Sequence, residues 1–541
     1  MKKGLVLAIL FLLSVHAGEA ELSSLSQLYS LGKTIQDLDG DGHGERIFLS
    51  IIIPDSPTAC ELAVASDIAA RANLESLAQD FALVRRESEV KSWEGLPNPI
   101  LIGSNLRWAR DIVKDRRIDV VQLGPDKGLV FVFSHKNQRG IACVAGSDEG
   151  LLRTGRAFFL RWPYFWEIWG RDTGATYLSL ENDLTKFLVQ EEVLLQKTIV
   201  REALYEFPPA GSARGALKNL SFTSGEIKNL VVEIYFADED DQKKAHKALD
   251  LLKRQRPKGL RSAVLSYPGC AQITFELRYG KKNLKLVLPR LGSSKRLLTP
   301  PFKEMTWVDG EGRDFDLLNL FSTRGLYADR DGDGILDGLE TSVIISEGLN
   351  CKGVAGLASK LVLPSAGASF PIVYLDSEIE QQGKGLVAPI LVGPNGLSLD
   401  LIKTGKLKIP ALENAWGLVQ VVPNAFNKSG ALVVHSPDTP GLEKTLAYLT
   451  ESFPYFDDYA AGRPQLKDVP EDFERFLDGE KGSAEAYFDG RLRKLAEEIK
   501  DRDLDTFEVR FTLPRENRPF EDAARKSMES SLNAKSFSFR T

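Results

Sequence analysis

The sequence of 541 residues contains little histidine, cysteine or methionine, with five, four and three residues of each type. It has neither an HExxH pattern nor a GxSxG pattern. The first supplies paired zinc ligands in one class of metalloprotease, and the second holds the nucleophile of α/β-hydrolases. Zinc-dependent hydrolysis and the serine-elbow mechanism therefore have no support in this sequence.

The chain also lacks an excess of positive charge. Lysine and arginine total 69 and aspartate and glutamate total 75, so the formal net charge is −6. Nucleic-acid-binding proteins and membrane-surface proteins carry clustered basic residues, because both partners are polyanionic. We expect no nucleic-acid partner and no polybasic membrane patch.

Long apolar runs are missing beyond the first residues of the chain. Residues 1–20 begin with Met1, Lys2 and Lys3, continue with a short apolar run, and carry the small residues Ala17 and Ala20. This pattern is typical of a secretory signal peptide. No later stretch approaches the roughly 20 apolar residues of a transmembrane helix, so we expect no transmembrane anchor. The predicted location is secreted or periplasmic, in a bacterium.

The four cysteines, Cys60, Cys143, Cys270 and Cys351, have no CxxC spacing. A metal site built from paired thiolates is therefore not predicted. In an oxidising compartment Cys60 could pair with Cys143, whereas four cysteines in so long a chain are equally compatible with buried free thiols. Both alternatives remain open at the level of sequence.

The most specific feature that is present is an acidic loop at residues 329–340, here called the second acidic loop. Its spacing matches positions 1, 3, 5, 7, 9 and 12 of a calcium-binding loop, in which position 7 contributes a backbone carbonyl, and Gly334 occupies the sharp turn at position 6. The predicted ligands are Asp329, Asp331, Asp333, the carbonyl of Ile335, Asp337 and Glu340.

A similar segment at residues 37–48, the first acidic loop, places Phe48 at position 12. Without a bidentate carboxylate there, this site should bind calcium more weakly. No helix is evident before either loop, so a sensor that opens like calmodulin is not implied. The predicted ligands of the first acidic loop are Asp37, Asp39, Asp41, His43 and Glu45.

Five pairs of landmarks recur at a separation of about 290 residues, which indicates one large duplicated unit and not a solenoid of short repeats. We therefore predict a tandem duplication of an α/β sandwich module alternating with a small ferredoxin-like α+β module, of mixed α/β and α+β class. The predicted divisions are a signal peptide (1–20), α/β copy 1 (21–206), a small α+β module (212–300), α/β copy 2 (301–502) and a partial second α+β module (503–541).

Within copy 2, Pro389-Ile-Leu-Val-Gly393 precedes Gly417-Leu-Val-Gln-Val-Val422 and the run from Gly430 to Asp438. This succession resembles the non-catalytic α/β accessory domain of β-hexosaminidases and α-glucuronidases. The acidic loops resemble the DxDGDG loops of secreted bacterial proteins, and the alternating layout is similar to the periplasmic subunit of bacterial cellulose synthase. The catalytic barrel of those glycosidases has no counterpart here, so the resemblance implies binding without catalysis.

Two further segments could carry function. Trp162, Trp166 and Trp169 form an aromatic cluster that could stack on sugar rings, with core packing or an interdomain contact as the alternative. The acidic residues between Asp309 and Asp316 lie in a glycine-rich stretch, which is more typical of a solvated or cation-binding loop than of a catalytic carboxylate pair.

The sequence thus predicts a calcium-binding modular protein, secreted or periplasmic, that acts without catalysis. Its expected role is carbohydrate binding or assembly of the cell envelope, with a polysaccharide or a cell-envelope protein as partner. The alternative is an exported, glycosidase-like hydrolase, or the N-terminal non-catalytic part of one.

Overall fold

The computed structural model describes most of the chain up to residue 454 and two short strands beyond it. The described residues are 22–92, 95–135, 138–166, 175–207, 226–254, 270, 272–289, 315–379, 386–426, 429–454, 510–512 and 538–540. Two compact units are present, Met1–Thr450 and Glu451–Thr541. Among the described residues, no helix is both long and apolar enough to cross a membrane.

The described residues form a mixed α/β structure with eight α-helices. These are α1 (Ala59–Leu74), α2 (Arg107–Asp115), α3 (Asp148–Gly155), α4 (Tyr177–Gln190), α5 (Glu239–Arg254), α6 (Gly353–Val362), α7 (Gly396–Lys403) and α8 (Thr439–Ala447). A π-helical turn follows α3 at Arg156–Leu160, and another follows α8 at Tyr448–Ser452.

The strands up to residue 289 belong to two small hairpins and one large sheet. They are β1 (Ile35–Gln36), β2 (Arg46–Ile47), β3 (Ser50–Ile53), β4 (Val84–Arg86), β5 (Pro99–Ile102), β6 (Lys127–His135), β7 (Gln138–Ala145), β8 (Tyr164–Trp166), β9 (Ala175–Thr176), β10 (Leu195–Glu206), β11 (Glu226–Phe236), β12 (Gln272–Tyr279) and β13 (Lys282–Pro289).

Further strands are described in the second half of the chain. They are β14 (Tyr327–Ala328), β15 (Gly338–Leu339), β16 (Val343–Ile345), β17 (Val373–Leu375), β18 (Ile390–Val392), β19 (Leu418–Phe426), β20 (Ser429–His435), β21 (Arg510–Thr512) and β22 (Ser538–Arg540).

The large sheet has nine strands in the order β13-β12-β11-β10-β6-β7-β5-β3-β4. Strands β4, β3, β5 and β7 are parallel, and β6 pairs antiparallel with both β7 and β10. The strands of the predicted small module therefore continue the sheet of the first α/β module, because β10 pairs with β11 as well as with β6. Residues 22–207 are called the first module below.

Residues 315–450, called the second module below, contain a five-stranded sheet in the order β17-β16-β18-β20-β19. Its first four strands are parallel and β19 is antiparallel to β20. This order and these directions match β4-β3-β5-β7-β6 strand by strand. The fold class is confirmed as mixed α/β, and the matching topology is the structural observation that bears on duplication.

Both modules have helices on both faces of the sheet. In the first, Trp108 and Ile112 of α2 pack on Phe131 and Phe133 of β6. In the second, α7 covers the corresponding face against β18, β19 and β20. The helices α1 and α6 lie on the opposite faces and pack against each other, which joins the two modules. Both are rich in alanine, glycine and serine, so their backbones can approach closely.

Local chemistry explains the start of α1. Thr58 accepts a hydrogen bond from the backbone of Glu61, and the Glu61 carboxylate accepts one from Thr58, which forms a capping box. The helix ends at Leu74, earlier than the end near residue 81 that its periodicity predicts. The adjacent valines Val120 and Val121 favour a strand at residues 120–122 in the sequence, and this prediction is wrong, because a 3-10 turn occupies Val121–Leu123.

Beyond residue 450, the described residues contain the parallel pair β21 and β22. Strands β11 and β12 of the large sheet are also parallel and are separated by α5. The sequence favours a strand at residues 506–513, and of this range residues 510–512 are described and form β21, whereas its partner β22 was not predicted. The helix predicted at residues 519–532 and the strand predicted at residues 263–267 lie outside the described residues.

Candidate metal centre

The first acidic loop connects β1 to β2, which form an antiparallel pair. The hairpin geometry brings the two ends of the loop together and turns its acidic side chains inward. Asp37, Asp39, Asp41 and Glu45 each place one carboxylate oxygen within 4.8 Å of the others. This set comprises four of the five ligands predicted from sequence.

Backbone amides shape the first acidic loop around Asp37. The Asp37 carboxylate accepts hydrogen bonds from the amides of Gly42 (2.9 Å) and Gly40 (2.6 Å), and these bonds lower the pKa of Asp37. Both glycines have positive φ, which a side chain would strain. The Glu45 carboxylate accepts the amide of Leu38 at 2.7 Å, which ties the end of the loop back to its start.

The second acidic loop connects β14 to β15 in the same way. Asp329 accepts the amides of Gly332 (2.7 Å) and Gly334 (3.0 Å), and Asp337 accepts the amide of Arg330 (2.5 Å). These are the bonds that Asp37 and Glu45 make in the first loop, at the same spacing. The two segments thus have the same local fold.

The carboxylates are gathered less completely in the second loop. Oxygens of Asp329, Asp331 and Asp333 lie within 4.8 Å of one another, and Asp337 and Glu340 are outside this group. The Glu340 carboxylate instead lies 3.6 Å from the guanidinium of Arg330. The structure therefore brings together three of the five predicted carboxylate ligands.

The residues predicted to contribute at position 7 are exposed in both loops. The amide of His43 donates to Asp41 at 2.8 Å, and its imidazole Nδ1 lies 3.4 Å from the same carboxylate. The amide of Ile335 donates to Asp333 at 2.7 Å. In both loops the amide at position 7 is therefore held by the aspartate two residues before it.

Each acidic loop is tied to the segment after the first helix of its module. The carbonyl of Gly44 accepts hydrogen bonds from the amide of Leu77 and the hydroxyl of Ser76, both at 2.8 Å. In the second module the carbonyl of Leu336 accepts the amide of Ala366 at 2.8 Å. These hydrogen bonds attach both loops to the chain that leaves α1 and α6.

The predicted sugar platform is placed only in part. The Trp162 indole donates to the carbonyl of Leu25 at 2.8 Å and stands edge-on to Tyr29, with ring centroids 5.7 Å apart. These contacts attach Trp162 to the N-terminal segment, as in the core-packing alternative. Trp166 ends β8, and Trp169 lies outside the described residues.

The remaining candidates from the sequence are the four cysteines and the acidic stretch at residues 309–316. All four cysteines are free thiols, with Cys60 half-buried and the other three buried, so the structure contains no Cys60–Cys143 disulfide. Burial raises the pKa of the Cys60 thiol to about 12. Asp316 accepts the backbone and side-chain amides of Asn319, which is a turn-capping contact, and residues 309–314 lie outside the described residues.

Sequence reasoning missed a group of buried charges where the modules meet. It comprises Asp67 of α1, Arg156 of the π-helical turn and Glu378 of the second module. The one signal was an aspartate inside the alanine-rich helix Ala59–Leu74, where a charge is unexpected. Its partners lie far away in sequence, so no local pattern marks them.

No family model matches the chain, and no curated protein matches it. The resemblance to glycosidase accessory domains therefore stays a prediction.

Proposed function

We propose that the protein is an exported, calcium-binding, duplicated modular protein that acts without catalysis at the bacterial cell envelope. The observation that supports calcium most directly is the repeated geometry of the acidic loops. Each connects two antiparallel strands, and each aligns its first aspartate with two glycine amides. Such preorganisation suits a hard cation that prefers oxygen ligands.

The proposed duplication rests on the shared topology. The two five-strand sets agree in order and direction, and a π-helical turn follows α3 in the first module and α8 in the second. The acidic loops precede the first parallel strand in both. Because these features recur in the same order along the chain, one ancestral unit explains them more simply than two independent origins.

Calcium in the first loop would be held by Asp37, Asp39, Asp41 and Glu45, with the carbonyl of His43. The corresponding residues in the second loop are Asp329, Asp331, Asp333 and Asp337, with the carbonyl of Ile335, and Glu340 closes the loop if its carboxylate leaves Arg330. The cation would neutralise carboxylates that otherwise repel one another. Both sites are exposed, so we expect dissociation constants of roughly 0.1 to 1 mM, as in extracellular modules.

Calorimetric titration of the chelator-treated protein with calcium tests this proposal. We expect saturable binding with a rise in melting temperature, since a ligand that binds only the folded state stabilises it. Asp331→Ala/Asp333→Ala should abolish binding in the second loop and Asp39→Ala/Asp41→Ala in the first. Asp400→Ala, which removes an exposed carboxylate elsewhere, is the matched control. Equal heats in all four proteins would contradict the assignment.

For the ligand class we propose carbohydrate, with Trp166 and Trp169 as the stacking residues. In a glycan screen with the full chain, Trp166→Ala should weaken binding by about 1–3 kcal/mol if the ring carries a stacking contact. Trp416→Ala, which removes an exposed indole in the second module, is the control. Turnover of a glycan without a Trp166 effect would favour the alternative, a glycosidase-like hydrolase.

A further inference from the structure

Three ionisable side chains lie where the first module meets the second, two of them buried and the third partly buried. Asp67 and Arg156 belong to the first module and are each 1% exposed, whereas Glu378 belongs to the second and is 18% exposed. Burial of charged groups is strongly unfavourable unless they are paired and hydrogen-bonded. The arrangement of these three groups therefore determines how firmly the modules hold together.

Hydrogen bonds cross the module boundary in both directions. Oδ1 of Asp67 accepts the amides of Ile372 (2.8 Å) and Val373 (3.1 Å). The guanidinium of Arg156 donates to both oxygens of Glu378 and to the carbonyl of Val373. Arg156 and Glu378 thus form a complete bidentate pair.

Asp67 is left outside that pair. Its Oδ2 lies 3.8 Å from Nε of Arg156, and neither atom has a hydrogen-bond partner. One guanidinium therefore faces two carboxylates, and full ionisation would leave a net negative charge in the interior. Because a buried unpaired charge is disfavoured, one of the carboxylates should carry a proton.

The other groups around Asp67 do not change this charge count. Tyr374 lies beneath Arg156 and Tyr29 lies nearby, and both phenols are neutral because burial raises their pKa values. On the same helix, Arg71 pairs with Glu75 and contacts the carbonyl of Leu160. From α6, the ammonium of Lys360 lies over the rings of Phe81 and Phe321.

We infer that Asp67 is the proton-carrying member of a pH-responsive lock between the two modules. Neutral Asp67 accepts the amides of residues 372 and 373 while Arg156 and Glu378 neutralise each other. Loss of the proton puts a net charge at the contact, and opening the contact relieves it by exposing the carboxylate to water.

The direction of the pH effect follows from linkage. Burial raises the pKa of Asp67 from 3.8 to about 7, against the opposing effects of Arg156 and of the two amides. A carboxyl group with a raised pKa in the closed state contributes stability that is complete below pH 3.8 and is lost as pH rises to about 7. Each pH unit in this window changes the opening equilibrium by about tenfold.

Hydrogen exchange of the full chain measures this opening at the amides of Ile372 and Val373. After correction for the intrinsic exchange rate, we expect wild-type protection to fall by up to about a hundredfold from pH 5 to pH 7 and to level off above it. Asp67→Asn keeps an acceptor for both amides and removes the titrating group. Its protection should be independent of pH and should exceed that of the wild type at pH 8.

Two further variants make the test decisive. Glu61 lies on the same helix and also has a pKa raised to about 7 by burial, so Glu61→Gln should keep the wild-type profile. Glu378→Gln leaves Asp67 as the only carboxylate of the described residues that faces Arg156, so the fall in protection should move to lower pH. This second result tests the lock even if Asp67→Asn does not fold. A wild-type profile in both Asp67→Asn and Glu378→Gln, or its loss in Glu61→Gln, would overturn the inference.

Discussion

Replacement of Arg156 by methionine should destabilise the protein by about 3–5 kcal/mol, the cost of leaving a buried ion-pair partner uncompensated. Methionine fills a similar volume but removes the cation that faces Glu378 and the donor to the carbonyl of Val373. Glu378 would then lie in a mostly buried position without its partner. The free energy of unfolding, measured by urea titration of the unit that contains both modules, reports the change.

Arg110→Met is the matched control, because Arg110 is an exposed arginine of α2. A surface substitution of this kind should change stability by less than about 0.5 kcal/mol. Similar losses in both variants would show that arginine content, and not the buried pair, sets stability. An Arg156→Met protein as stable as the wild type would show that the buried pair contributes no net stability, as can occur when desolvation offsets attraction.

The parts of the fold that sequence could predict are those with local causes. The strand Ser50–Ile53 is fully buried and follows from an unbroken run of isoleucines. Thr58 and Glu61 mark the start of α1 through a three-residue spacing that is visible in the sequence. The acidic loops are likewise local, since their glycines and aspartates bond within five residues of each other.

The parts that could not be predicted depend on distant partners. Arg156 and Glu378 are 222 residues apart, and nothing near either residue indicates the other. Strand β10 joins the small module to the first module by pairing on both edges, and its mixed polar sequence has no clean alternation. A 3-10 turn at Val121–Leu123 replaces the strand predicted at residues 120–122, because so short a segment with two adjacent valines does not distinguish a strand from a turn.

Dependence on neighbouring or distant partners also explains why the candidate site was predicted only in part. Glu340 stands at the position of a bidentate ligand, yet its carboxylate lies beside Arg330, a loop residue whose side chain sequence spacing does not place. Trp162 belongs to an aromatic cluster in sequence, yet its indole is held by Leu25. The spacing of a ligand motif determines which backbone positions come together. The direction of a long side chain also depends on neighbouring residues that are not part of the motif.

The two modules also begin their first helices differently, and this difference carries the last prediction. In the first module Glu61 caps α1 from within the helix. In the second, Glu443 of α8 accepts the amides of Lys352 and Gly353 at the start of α6, both at 2.8 Å. Its carboxylate also lies 3.2 Å from Arg86 of the first module.

Glu443→Ala should therefore destabilise the protein by about 2–4 kcal/mol, because it removes a helix cap and a charge-assisted contact together. Glu443→Gln keeps one acceptor oxygen and should lose about half as much, whereas Asp400→Ala should be nearly neutral. Urea unfolding of the three variants provides the comparison. Arg86→Ala and the double variant Glu443→Ala/Arg86→Ala complete the comparison. If both single variants destabilise the protein and the double variant is no less stable than Glu443→Ala, the carboxylate links the modules as well as capping α6. Strict additivity would instead confine its role to the helix end.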